Sequence, residues 1–499
     1  MYYKPKIFFT FIIAAFIFQN IFFIDKRVVV DEVWRAVTVY NYDKNSGFVS
    51  DAIIKNAKPD NLYQIYLYLH SLKIWHLIFP KEIQFSRLLS ILAGSCLLFL
   101  SYYFFKRFFD DKLLILSSFF MLSSDNIFFV TINSVRSDIF IPIYFIIAYL
   151  IIFNRKKKIN SKRFIFFAGV LFLVFIFYHP NTIVLIVSLW LSILAIYRNK
   201  ESFNAALIFF LPALLLFSII AIVSFILKIN TVEILFIYAK KTTYIEKIYN
   251  FDFLLKKEII RYIDYTQFPF RLPLAILFGV SVLYYIFLKT NEKIYKVLSL
   301  SIIATFFFFF FLFNKTSRYF IAVEPILILL SSAFLSDIFS KTQIMKNIKK
   351  TSASLIVIIL SLYSLIGNFY LIIKYSNSSY AKFKTAMRID DIRGKTIIGD
   401  LILWDIYRAS NFISLNSELI NLSSADYIIY KDEKLSMKDS LAHNNSNLKS
   451  GYILRKKIFY EEGIWPILKE NGSSIKEVDG AFYGYYKIIK INKREKLAP

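Results

Sequence analysis

The feature that most constrains this chain is a series of uncharged apolar blocks about as long as a bilayer is thick. Ile7 to Ile24 carries no charged residue, and neither does Phe203 to Leu227. A helix rises about 1.5 Å per residue, so about 20 residues cross a hydrocarbon layer of about 30 Å. Of the 499 residues, 57% are hydrophobic and the mean hydropathy is +0.53. Soluble domains average about 45–50% apolar residues, so one water-soluble core cannot hide this much apolar surface. The blocks predict a polytopic α-helical membrane protein with about eleven transmembrane helices. They fall at 7–24, 83–105, 113–130, 139–154, 164–178, 182–197, 203–227, 272–288, 297–313, 319–337 and 352–373.

Charge then narrows the function classes. The net charge is +26, from 61 Lys and Arg against 35 Asp and Glu. A nucleic-acid binder gathers such charge on one face. Here the cations sit between apolar blocks, where they meet anionic lipid, so nucleic acid is not expected as a partner. Cys96 is the one cysteine, which rules out an intrachain disulfide and a cysteine-clustered zinc site. Lys4 and Lys6 precede the first apolar block, as in a signal peptide. No small-x-small cleavage site follows Ile24, so the block is expected to stay as the first span.

One segment decides the topology. Leu62 to Phe79 looks apolar but contains His70, Lys73 and His76. A charge at a span centre costs about 2.5–3.5 kcal/mol. The three residues are spaced by three, which puts them on one helical face. The segment therefore reads as an amphipathic helix lying in the interface. With the N-terminus inside, the basic loops Lys106-Arg107, Arg155 to Arg163, Arg198 to Lys200, Lys289 to Lys296 and Lys341 to Lys350 all face the cytoplasm. That is the positive-inside pattern. The loops 25–82 and 228–271 then lie outside, as does everything after Lys374.

After Lys374 the composition turns polar. Short β-type runs appear at Thr396 to Gly399, Tyr427 to Tyr430, Tyr452 to Leu454 and Phe482 to Ile488, and a helix-like stretch at Leu401 to Ala409. Residues 375–499 are expected to form an extracytoplasmic α/β domain beside a transmembrane module at 1–374. No internal repeat of the transporter kind is visible.

The residues able to do chemistry collect in the outer loops. Asp31 and Glu32 follow the first span; their plain reading is a charged boundary or a helix N-cap. Asn133 to Asp138 places Arg136 and Asp138 between two spans, which reads plainly as a solvated turn with a local ion pair. His179 stands before Pro180, and the proline alone accounts for a turn there. Lys315, Arg318 and Tyr319 precede Glu324, which must face protein or a cavity rather than lipid. Together these place carboxylates, a histidine and cations on one membrane face. The mix suits transfer of a sugar from a lipid phosphate. A hydroxyl acceptor needs a base, which a carboxylate supplies. A phosphate leaving group needs cations rather than an acid.

The order of these residues resembles a known superfamily. Asp31-Glu32 follows the first span, then come Lys58-Pro59, Leu62-Tyr63, Arg87-Leu88-Leu89-Ser90, Arg136 to Asp138, His179-Pro180 and Arg318-Tyr319. This resembles the GT-C glycosyltransferases, in the branch of protein mannosyltransferases and lipid A aminoarabinose transferases, over about residues 1–340. The resemblance implies inverting transfer from a polyprenyl-phosphate sugar to a lipid, glycan or protein acceptor, outside a bacterial plasma (inner) membrane. It implies Asp31 as the base, with Glu32 beside it and Asp138 as a second loop acid. Lys58, Arg136, Lys315, Arg318 and Tyr319 would then hold the donor phosphate, with His179 a further candidate. After Lys58, Pro59-Asp60-Asn61 depart from the family's double proline. Metal use varies in the family, and no metal or other cofactor is expected to be required. The rival readings are a lipid-linked-sugar flippase or other transporter, with ionisable groups at mid-membrane on broken helices, and a non-catalytic scaffold.

Overall fold

The computed structural model of this chain describes residues 5–26, 30–40, 66–153, 158–226, 251–266, 270–288, 292–312, 317–341, 346–376, 380–389, 392–399, 404–407, 411–414, 426–431, 475–479 and 485–490. The chain forms two compact units. One comprises Met1–Ile24, Asp60–Pro80 and Phe85–Ile372; the other comprises Asp25–Pro59, Lys81–Gln84 and Ile373–Pro499. Lys58, Lys315 and the run Tyr452 to Leu454 lie outside the described residues.

The first unit is helical. Its elements are α1 (Pro5–Phe23), α3 (Tyr66–Ile78), α4 (Ile83–Lys106), α5 (Lys112–Ser124), α6 (Asn126–Ile132), α7 (Phe140–Ile152), α8 (Lys162–Tyr178), α9 (Thr182–Tyr197) and α10 (Lys200–Ile226). Then follow α11 (Phe251–Thr266), α12 (Leu272–Leu283) with a π-turn over Tyr284–Leu288, α13 (Lys293–Leu312), a 3-10 turn (Ser317–Ala322), α14 (Glu324–Lys341) and α15 (Lys346–Ser376). Among the described residues, five helices are long and apolar enough to cross a membrane, and a sixth if the bent pair α5 and α6 is one span. Their outward side chains include Ile21, Phe22, Leu214, Phe217, Phe307 and Ile359. That is the surface expected of helices whose solvent is lipid. Helices α9 and α13 lie together, as do α8 and α10, and α12 and α14. At Gly169 of α8 an added Cβ would come within 2.1 Å of the Phe209 carbonyl of α10. Only glycine lets the two backbones approach so closely.

The α5–α6 pair bends by 54° at Asp125. Asp125 has extended backbone, so it ends α5, and its Oδ1 accepts the Phe128 N–H at 2.9 Å to cap α6. The break strands carbonyls that nothing in hydrocarbon can satisfy. Neighbouring helices satisfy them instead. Gln19 of α1 donates to Ser123 O at 2.8 Å, while Ser364 and Asn368 of α15 donate to Ser124 O at 2.8 and 2.9 Å.

Helix α3 buries apolar and polar residues together. His76 is buried, with Nδ1 2.9 Å from Pro80 O and Nε2 2.8 Å from Ser86 Oγ. His70 and Lys73 are half-buried. Burial first, then the Lys73 charge, holds the His70 imidazole below its ordinary value. Ile74, Leu77 and Ile78 are exposed, while Tyr68, Leu69 and Leu72 are fully buried beside His76.

In the second unit, α2 (Val30–Tyr40) contacts the short α17 (Trp404–Tyr407). A further short helix, α16 (Tyr380–Ala386), precedes the sheet. The strands β1 (Thr396–Gly399), β2 (Asn411–Ser414), β3 (Tyr427–Lys431), β4 (Ile475–Asp479) and β5 (Tyr485–Lys490) run in the order β2-β1-β3-β5-β4. β1 is parallel to both β2 and β3; β5 is antiparallel to β3 and β4.

Candidate functional site

Two short connections of the first unit meet around Asp138. Asn133 ends α6, and the chain crosses 133–138 before α7 begins. His179 ends α8, and Pro180 prevents its continuation. Arg136 Nε donates to Asp138 Oδ2 at 2.5 Å, and His179 Nε2 lies 2.8 Å from Asp138 Oδ1. All three side chains are buried. The local ion pair read from the sequence is present. The turn around it is not the solvated one of the plain reading, because Asn133, Ser134, Val135 and Ser137 are buried too.

A second buried group lies at the helix break. Arg271, at the entry to α12, pairs with Asp125 through Nη1 and with Glu324 through Nη2, all three fully buried. Arg271 Nη2 also donates to the Tyr265 hydroxyl at 2.6 Å, and that hydroxyl donates to Glu324 Oε1 at 2.9 Å. Burial pushes the Tyr265 phenol well up, so it keeps the proton this chain of bonds requires. The guanidinium lies over the Tyr265 ring, 4.7 Å from its centroid.

Tyr265 belongs to α11, whose buried stripe is Leu254, Glu258, Arg261 and Tyr265. The spacing of three and four residues puts these on one face. Arg261 pairs with Glu258 and sits 5.3 Å from the Phe320 ring centroid and 5.8 Å from that of Phe309. The opposite face is exposed, with Leu255, Ile259 and Ile263 beside Asp252 and Lys256.

The 3-10 turn Ser317–Ala322 joins these groups. It touches α6, α7, α11 and α14. Tyr319 packs edge-on to the His179 ring at 6.1 Å, and Phe320 stacks on Tyr265 at 4.0 Å. The backbone of Arg318 lies in the same turn. Of the residues chosen from the sequence, Arg136, Asp138, His179 and Tyr319 are thus brought together. Glu32 is fully buried on α2 in the second unit, and the Asp31 backbone lies in that helix. Among the described residues, no three His, Cys, Asp or Glu side chains are grouped as metal ligands.

Sequence reasoning passed over Asp125, Tyr265, Arg271, Glu258 and Arg261. One of them had a readable signal: Asp125 is the only charge in the block 113–130, and a charge inside a span marks a buried partner.

No protein-family model matches this sequence, and no curated protein matches it. The fold does match solved structures. ArnT from Cupriavidus metallidurans bound to undecaprenyl phosphate superposes with a TM-score of 0.59 at 9% identity, over 99% of this chain and 98% of that one. ArnT from the same organism in the apo state gives 0.53 at 10% identity, over 88% and 94%. In fold this chain is therefore similar to ArnT, and among its described residues five helices, or six with the bent pair, are long and apolar enough to cross a membrane.

Proposed function

We propose that the chain is an inverting glycosyltransferase that moves a sugar from a polyprenyl-phosphate donor to an acceptor hydroxyl at the extracytoplasmic membrane face. The observation that carries this reading is the turn Ser317–Ala322, which holds Arg318 and Tyr319 beside the buried Arg136–Asp138–His179 group. The ArnT-like fold supports it, since that neighbour was solved with undecaprenyl phosphate bound.

In this reading Asp31 takes the acceptor proton, and the freed oxygen attacks the anomeric carbon opposite the phosphate. The carbon–oxygen bond to phosphate breaks, and polyprenyl phosphate leaves as an anion. Arg136, Arg318, Lys58 and Lys315 hold that charge, Tyr319 lines the site and Glu32 orients the acceptor. No metal is required. Eleven spans carry the module 1–374, with the α/β domain 375–499 and both long loops outside the cytoplasm. Acceptors in scope are a lipid, a glycan or a protein.

The purified protein, given undecaprenyl-phosphate monosaccharides and membrane extract as acceptor, is expected to release undecaprenyl phosphate. Arg318→Lys is expected to raise the KM for the donor, because lysine keeps the charge but loses the two-pronged grip of guanidinium on phosphate. Unchanged donor kinetics would remove Arg318 from the site. Reporter fusions after Lys374 are expected to be active only with an enzyme that works outside the cytoplasm. Activity of a cytoplasm-only reporter there would move every assigned residue to the other side.

The transporter reading draws on one observation, an ionisable residue at a broken span. Asp125 is that residue, yet its carboxylate is spent on Arg271 and on the cap of α6. Flipping of a labelled lipid in proteoliposomes without any sugar transfer would favour the transporter.

A further inference from the structure

We infer that His179 is a positioning residue: as the neutral Nε2–H tautomer it fixes the Asp138 carboxylate against Arg136, and through Tyr319 it braces the turn that carries Arg318. The tautomer follows from two contacts. The Asn181 backbone N–H lies 3.2 Å from His179 Nδ1. A backbone N–H only donates, so Nδ1 must present its lone pair. The ring proton is therefore on Nε2, which faces Asp138 Oδ1 at 2.8 Å and donates to it. An imidazolium would carry hydrogen on both nitrogens and would set two donors face to face at Asn181.

Asp138 is constrained in turn. One of its oxygens accepts from His179 and the other from Arg136 Nε at 2.5 Å, in a site where Asp138 is 1% exposed. Both oxygens are engaged by an N–H donor, which fixes the plane of the carboxylate. The second loop acid thus acts as an orienting counter-charge to Arg136.

A neutral imidazole suits this task. It locks the carboxylate plane without adding a second positive charge, so Asp138 remains a counter-ion for Arg136. The ring also packs against Tyr319, with centroids 6.1 Å apart and an interplanar angle of 79°. Packing of this kind holds a turn in place where a flexible polar side chain would not. Arg136, and the backbone turn that carries Arg318, are then set in advance from one ring. This last consequence rests on the function proposed above; the tautomer does not.

The two parts are tested separately. The full-length protein, labelled with 15N-histidine and held in nanodiscs at pH 7.5, contains four histidines. The signal missing in His179→Gln identifies position 179. It is expected to show a neutral ring protonated on Nε2; a ring protonated on Nδ1, or an imidazolium, would overturn the inference. For donor binding, His179→Phe keeps a ring but loses the donor to Asp138. It is expected to raise the KM for the undecaprenyl-phosphate sugar about tenfold or more, with kcat changed less than about threefold. His179→Gln retains an N–H at similar reach and is expected to recover most of the loss. An unchanged KM in His179→Phe, or a folded His179→Gln no better than His179→Phe, would also sink the inference. A wild type inactive on every donor would remove the proposed function and leave the tautomer measurement to decide the rest.

Discussion

Asp31→Asn is expected to express normally, to bind the lipid donor still, and to transfer sugar at least about 100-fold more slowly, since removing a general base costs about 10²–10⁴ in rate. Asparagine keeps the shape and the hydrogen-bonding reach of aspartate but cannot take a proton. Asp31 and Glu32 are successive positions of α2, set about 100° apart around a helix axis, so they are not expected to serve the same acceptor hydroxyl in the same role. Glu32 is fully buried, which fits a residue that holds or orients. Glu32→Gln is accordingly expected to be milder. Turnover assays on both variants decide between them. Wild-type turnover by Asp31→Asn would remove the mechanism, whereas the opposite ranking would keep the reaction and shift the base to Glu32. The engaged oxygens of Asp138 add a third comparison. Asp138→Asn keeps one acceptor for Arg136, so its loss should fall more on donor KM than on kcat.

The largest effect on folding is expected from Arg271→Met. One guanidinium serves Asp125 and Glu324, and nothing of the three is exposed. Removing one member of a buried ionic group costs about 3–5 kcal/mol, because the charges left behind lose their compensation. Here two carboxylates would be left at once, so the variant is expected to be aggregated or absent after detergent extraction. A triple variant, Arg271→Met with Asp125→Asn and Glu324→Gln, removes all three charges together. It is expected to recover a monodisperse protein, because replacing a whole buried ionic group can be nearly neutral. Size-exclusion profiles and thermal melts check both. A well-folded single variant with an unshifted melt would show that the cluster does not hold the break.

Much of the helical layout was legible in the chain, for a simple reason. The cost of burying backbone polar groups in lipid forces long apolar helices, and length with charge reveals them. Among the described residues each apolar stretch falls mostly on helix, with 113–130 broken at Asp125 and 319–337 opening as a 3-10 turn, and five or six of the helices are long and apolar enough to cross a membrane. The strands over Thr396–Gly399 and Tyr427–Lys431 stand where β-type runs were read. Asn411–Ser414 and Ile475–Asp479 are strands that the sequence reading did not include; the second interleaves Lys476, Glu477 and Asp479 with its two apolar residues. The Asp138 group was half legible. Its members sit in loops that look alike as short polar turns, and only packing reveals that they are dry. The Arg271 cluster was hidden for a different reason. Arg271 finds Asp125 across 146 residues of sequence, and a long-range pairing leaves no periodicity to detect. Glu324 gave a warning by its cost alone, though not the name of its partner.

The stitching of the broken span sets an order on how this protein is made. Gln19 is synthesised well before Ser364 and Asn368, which arrive with the last helix of the first unit. All three grip carbonyls of the same two residues, Ser123 and Ser124. Until the ribosome has delivered α15, the carbonyl of Ser124 lacks both of these partners. The unit is therefore closed from both ends of its own sequence, like a clasp, and nascent chains stopped before Lys346 are expected to be recognised as unfinished and degraded.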